Sequence, residues 1–117
     1  MSACVDDFIG VEKVRLMEGT DNYPVSFEFI AAPSVSGKGS IPYNTEIEEA
    51  DVTVYDAAGL DVSVAVVESV VVSGGLVVIA SFDYTALAAK GKCKVIISVT
   101  LDSGAVLPFY WDGLEIR

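Results

Sequence analysis

From Cys93 to Asp102 the chain alternates one residue at a time. Cys93, Val95, Ile97, Val99 and Leu101 fall on one parity, and Lys94, Ile96, Ser98, Thr100 and Asp102 on the other. A period of two sends one set of side chains to a core and the other to water, which is the pattern of a half-buried β-strand and not of an amphipathic helix. The same reading recurs in ADVTVYDAAG, with Ala50, Val52 and Val54 inward and Asp51, Thr53 and Tyr55 outward. PVSFEFIA repeats it with Val25, Phe27 and Phe29, and further strands are expected over Val11 to Met17 and Val62 to Val67. LVVIASF is apolar on both parities and rich in β-branched residues, so it predicts a central strand covered on both sides.

Turn signals separate these runs: EGTDN, DAAG, SGG and DSG. Each offers Gly or Asn where a positive φ is needed. Helix signals are sparse. YTALAAKGK, with Asp83 as an N-cap and Gly91 at the exit, predicts one short helical turn. Residues 32–46, rich in Pro, Gly and Ser, read as a long loop, and residues 1–10 as a flexible arm. Seven or so short strands in 117 residues predict one all-β domain, an antiparallel β-sandwich of immunoglobulin-like type.

Composition narrows what such a domain can do. Apolar residues make up 52% of the chain, enough for a real core, yet no run approaches the roughly 18 apolar residues of a membrane-spanning helix. The start, MSACVDDFIG, has neither a basic segment nor an apolar one, so no export signal is expected. Seventeen acidic against seven basic residues give a net charge of −10. That charge opposes nucleic-acid phosphates and anionic membrane surfaces, and it favours solubility.

The absence of histidine excludes imidazole bases and imidazole-ligated metals. There is no G-x-S-x-G elbow, and SGKGS lacks the spacing and following helix of a phosphate-binding loop. The carboxylates of Asp6, Asp7, Glu46, Glu48 and Glu49 read as a solvated acidic surface. Asp56 and Asp61, flanking AAGL, and Asp21-Asn22 are the places where calcium could be held, but turn formation accounts for the same residues. With only Cys4 and Cys93, no disulfide framework is implied, and Cys93 fits a buried free thiol. No catalytic, cofactor or metal residue is therefore assigned.

The last strand, LPFYW, carries three aromatics in a row. Phe109 and Trp111 share parity with Leu107 and should face the core, which leaves Tyr110 outward. Pro108 predicts an edge position, where a missing N–H is harmless. Tyr110, with Tyr55 on another outward face, is the candidate protein-contact surface, by side-chain anchoring or by strand addition.

Over roughly Ala50 to Ile116 the chain resembles small immunoglobulin-like sandwich proteins of tailed-phage virions. Leu87, Gly91, the strand Val95 to Leu101, and Thr100 with Asp102-Ser103-Gly104 hold the places of that pattern, with Cys93 where many relatives carry tyrosine. The same pattern occurs in bacterial adhesin and fibronectin-like modules. The resemblance implies a non-enzymatic structural or accessory virion protein, made in the bacterial cytoplasm, that packs against itself as a homo-oligomer or against another virion protein. The alternative is a recognition module that binds a glycan or cell-surface protein through Tyr23, Tyr43 or Tyr110.

Overall fold

A computed structural model of the chain describes residues 7–8, 11–31 and 37–117. Its strands are β1 (Val14–Leu16), β2 (Tyr23–Ala31), β3 (Gly39–Ile41), β4 (Ile47–Tyr55), β5 (Val67–Ser73), β6 (Val77–Phe82), β7 (Gly91–Lys92), β8 (Lys94–Leu101), β9 (Val106–Trp111) and β10 (Leu114–Ile116). One helical turn, α1 (Ser63–Val66), precedes β5.

The strands form one layer ordered β3-β2-β6-β5 and a second ordered β4-β8-β9. A small sheet, β1-β10-β7, continues the second layer. Val95 pairs with Trp111 but Lys92 pairs with Glu115, so the chain between β9 and β10 holds one extra residue, at Asp112-Gly113. β1 then adds to β10 in parallel. With β2, β5 and β6 in one layer and β4, β8 and β9 in the other, the arrangement is that of an immunoglobulin-like sandwich.

The alternation read from the sequence is what fills the space between the layers. Cys93, Val95, Ile97, Val99 and Leu101 are all buried, as are Val52 and Val54 opposite them and Val25, Phe27 and Phe29 across the core. Phe109 and Trp111 also point inward, and every ring in the core touches another. Phe29 meets Phe109 at 5.0 Å between centroids, Phe27 meets Trp111 at 5.0 Å, and Phe82 lies 6.0 Å from Trp111.

Several expectations change. Val62 to Val67 is not a strand: Ser63–Val66 turns as α1, because Asp61 accepts both the N–H and the hydroxyl of Ser63. YTALAAKGK forms no helix, and Asp83 receives the Asn22 N–H at 2.7 Å in place of capping. The loop expected over 32–46 contains β3, whose Gly39 packs where a Cβ would fall 2.9 Å from the Phe29 ring. Residues 32–36 lie outside the described residues. β6 is central, but its outer face is covered unevenly: Val77 and Ile79 are half-buried and Ser81 is buried.

The arm expected over 1–10 is anchored where it is described. Asp7 pairs with Tyr110 in both directions, its N–H donating to the Tyr110 carbonyl and its Oδ2 accepting the Tyr110 N–H, each at 2.8 Å. Phe8 is wholly buried, edge-on to Phe27 at 5.0 Å and to Phe29 at 5.2 Å. Truncating so enclosed a ring removes its transfer energy and leaves a cavity. Phe8→Ala is therefore expected to cost about 3–5 kcal/mol, read as a lower denaturation midpoint with an unchanged slope in urea.

Candidate functional site

The outward parity of the second layer places one residue type after another on a single surface. Along β4 these are Glu49, Asp51, Thr53 and Tyr55; along β8, Lys94, Ile96, Ser98 and Thr100; along β9, Val106, Pro108 and Tyr110. The register sets Tyr55 beside Lys94 and puts Ile96 between Thr53 and Tyr110. Lys94 Nζ lies 5.8 Å from the Tyr110 ring centroid, within reach of a cation–π contact. The two tyrosines expected to form a contact surface thus share one face, joined by Lys94 and Ile96.

Tyr55 and Tyr110 are both half-buried, so each keeps part of its side chain open to solvent. At the Tyr55 end the face dips into a shallow depression of about 450 Å³, lined by Tyr55, Ala57, Gly59, Lys92, Lys94 and Ile96. The carboxylates of this face, Glu49 and Asp51, stay on its β4 margin, while Lys94 stands near Tyr110, and Asp56 lines the depression along with Lys92. The edge of β9, in contrast, is closed to strand addition at its centre. Asp7 takes up both backbone groups of Tyr110, and Pro108 has no N–H to offer. Of the two modes of contact expected for Tyr110, side-chain anchoring is the one this geometry leaves.

The carboxylates singled out for calcium are occupied by the protein itself. Asp56 is buried and accepts N–H bonds from Ala58 at 2.9 Å, Leu60 at 3.0 Å and Ala89 at 2.9 Å. The bond from Ala89, followed by that from Leu60, holds its carboxyl below the usual aspartate range. Asp61 is likewise held low, by the hydroxyl and then the N–H of Ser63.

Asp21 instead meets two residues that its local sequence does not reveal, Glu68 at the start of β5 and Asp83 after β6. Oxygens of the three lie within 4.8 Å of one another, and this trio is the set among the described residues that could hold a hard cation. Hydrogen bonding to Asp83, then repulsion from it, raises the pKa of Asp21 and of Glu68. Asp83 is lowered, first by the Asn22 N–H.

The remaining expectations are structural. Cys93 is a buried free thiol whose pKa burial pushes to about 11, so it is not a thiolate nucleophile at neutral pH, and Cys4 lies outside the described residues. Tyr23, Tyr43 and Tyr110 do not gather on one surface. Tyr23 opens β2 in the first layer, Tyr43 follows β3, and Tyr110 belongs to the outer face of the second layer. No helix among the described residues is long and apolar enough to cross a membrane.

Comparison of the chain with protein-family models, with curated proteins and with solved structures finds no match.

The acidic trio generates a pH-dependent expectation. A carboxyl whose folded pKa is raised contributes stability that is present below its unfolded pKa and lost as pH rises through the folded value. Glu68 should therefore stabilise the fold in acid and oppose it at neutral pH, where it repels Asp83 and Asp21. Glu68→Gln, a neutral donor of the same shape, is expected to raise the melting temperature slightly at about pH 7 and to leave it unchanged at about pH 3.5. An equal shift at both pH values would show that charge is not the cause.

Proposed function

We propose that the protein is a non-enzymatic structural component of a tailed-phage virion, acting by protein–protein assembly through the outer face of the β4-β8-β9 layer. The observation that carries this reading is the joining of Tyr55, Lys94, Ile96 and Tyr110 into one face whose carboxylates stay on the β4 margin, on a chain of net charge −10. Half-buried tyrosines on a strand lose little further entropy when covered, and contact surfaces are built around aromatic anchors. The resemblance of residues 50–116 to virion sandwich proteins supplies the setting. Glycan recognition draws less support, because the tyrosines it calls on are divided between the two layers.

The test uses purified protein and the other structural proteins of the particle that encodes it. Incorporation into particles is measured by mass spectrometry and binding to each isolated partner by calorimetry. Tyr110→Ala is expected to weaken the contact by about tenfold or more, the usual effect of losing a central aromatic anchor, with the melting temperature nearly unchanged. Tyr55→Ala should act in the same direction. Full incorporation of the double variant would overturn the reading.

A further inference from the structure

The seven basic residues of the chain are not spread evenly. Lys13, Arg15, Lys92, Lys94 and Arg117 lie in, or directly beside, β1, β7, β10 and the start of β8. The register brings them together. Arg15 pairs with Glu115 and Glu115 with Lys92, so the three form one row across β1-β10-β7. Burial of Val14, Leu16, Leu114 and Ile116 turns that row outward. Lys94 shares the parity of Lys92 across the buried Cys93. Lys13, Arg15 and Lys92 line one small hollow of about 70 Å³, and Lys92 and Lys94 line the depression beside Tyr55. The basic row thus continues into the tyrosine face.

Few carboxylates answer these cations. Glu115 is shared, with Arg15 at 3.7 Å from one oxygen and Arg117 at 3.4 Å from the other, and Asp112 stands 3.8 Å from Lys13. Asp56 also lines the depression, but its oxygens already accept the N–H groups of Ala58, Leu60 and Ala89. Among the described residues no carboxylate comes within ion-pairing distance of Lys92. The far end of the same layer has the opposite sign. Glu46, Glu48, Glu49 and Asp102 gather where Ile47 pairs with Leu101, about 24 Å along β8 from Lys94.

We infer that the basic row of β1-β10-β7, with the depression between Lys92, Lys94 and Tyr55, docks a short carboxylate-rich segment of the protein partner that covers the tyrosine face. The inference rests on the assembly reading above and adds the chemistry of the partner. Exposed charges are felt over about 8–10 Å, so a group arriving here meets the sign of the patch and not the net charge of −10. Three strands spaced about 4.8 Å apart make the patch about 10 Å wide, and Lys92 and Lys94 extend it by about 7 Å. That area holds two or three acidic side chains. A nucleic-acid duplex or an anionic bilayer carries its charge far beyond those limits, onto the acidic remainder of the surface. Tyr55 and Ile96 also line the depression, so a carboxylate seated between the lysines pairs with them beside apolar cover.

The probe is the peptide acetyl-Glu-Glu-Tyr-Glu-Glu amide, titrated into isotope-labelled protein in about 0.1 M salt and followed by NMR, with its all-glutamine counterpart as control. The backbone signals of Lys92, Lys94 and Tyr55 are expected to shift together, and affinity to fall severalfold in about 0.5 M salt. Lys92→Gln and Lys94→Gln should each weaken binding about two- to fivefold and the double variant about tenfold, with circular dichroism confirming the fold. Absence of shifts at millimolar peptide, equal shifts with the glutamine peptide, or equally tight binding of a thymidine oligonucleotide or of phosphatidylglycerol vesicles would overturn the inference. Shifts at Lys92 and Glu46 that grow with protein concentration alone would place a second copy in the depression and overturn it too. A virion-protein contact weakened by Tyr110→Ala but unchanged in the double lysine variant and in high salt would overturn it while leaving the assembly face standing.

Discussion

The packing of aromatic rings between the two layers is the interaction on which the rest of the structure depends. The chain has five phenylalanines and one tryptophan, and all six meet in one connected cluster. Phe27 and Phe29 come from β2, Phe82 from β6, Phe109 and Trp111 from β9, and Phe8 from the segment that precedes β1. Edge-to-face contacts add about 0.5–1.5 kcal/mol each beyond the area they bury. More importantly, they are directional, so they select one register where valine alone would tolerate slippage. Their bulk also explains two glycines: a Cβ on Gly39 would strike Phe29 and Phe109, and one on Gly113 would strike the Trp111 indole.

The orientation of that cluster determines what the surface can offer. Because Phe109 and Trp111 must face inward, strand parity turns Tyr110 and Pro108 outward, and the β8 register then sets Tyr110 beside Ile96 and Lys94. Tyr55 reaches the same face because Val52 and Val54 are committed to the core. Phe8 acts on the surface as well. By seating itself against Phe27 and Phe29 it brings Asp7 alongside Tyr110, where the aspartate replaces the strand that β9 lacks. The outer tyrosine face and the blocked edge next to it are both consequences of core packing.

The sequence reveals the parts of this arrangement that are governed by period. β2, β4, β8 and β9 were legible because each buries one parity, and that legibility extended to the outward placement of Tyr55 and Tyr110. What it missed is set by contacts between distant residues. Ser63–Val66 is valine-rich and reads as strand, yet Asp61 fastens Ser63 while Val66 is buried and Val64 wholly exposed, an inside–outside split that suits one helical turn. Asp83 resembled a helix cap by its neighbours but is used by Asn22. The meeting of Asp21, Glu68 and Asp83 joins three separate segments, and no local pattern encodes it. Phe8 sat in a polar, acidic stretch that gave no sign of a buried ring.

Charge distribution governs where this surface can be approached. A chain with seventeen acidic residues resists close approach by its own copies, and that repulsion protects a valine-rich sheet protein from indiscriminate edge pairing. Repulsion of this kind acts over a Debye length of about 8–10 Å, so it discriminates by location: contacts form where carboxylates are locally sparse. Glu48, Glu49 and Asp51 guard β4, and Glu68 stands at the bulged start of β5 but not along Ser69 to Ser73. The middle of the outer face, around Ile96, Ser98 and Tyr110, carries no carboxylate.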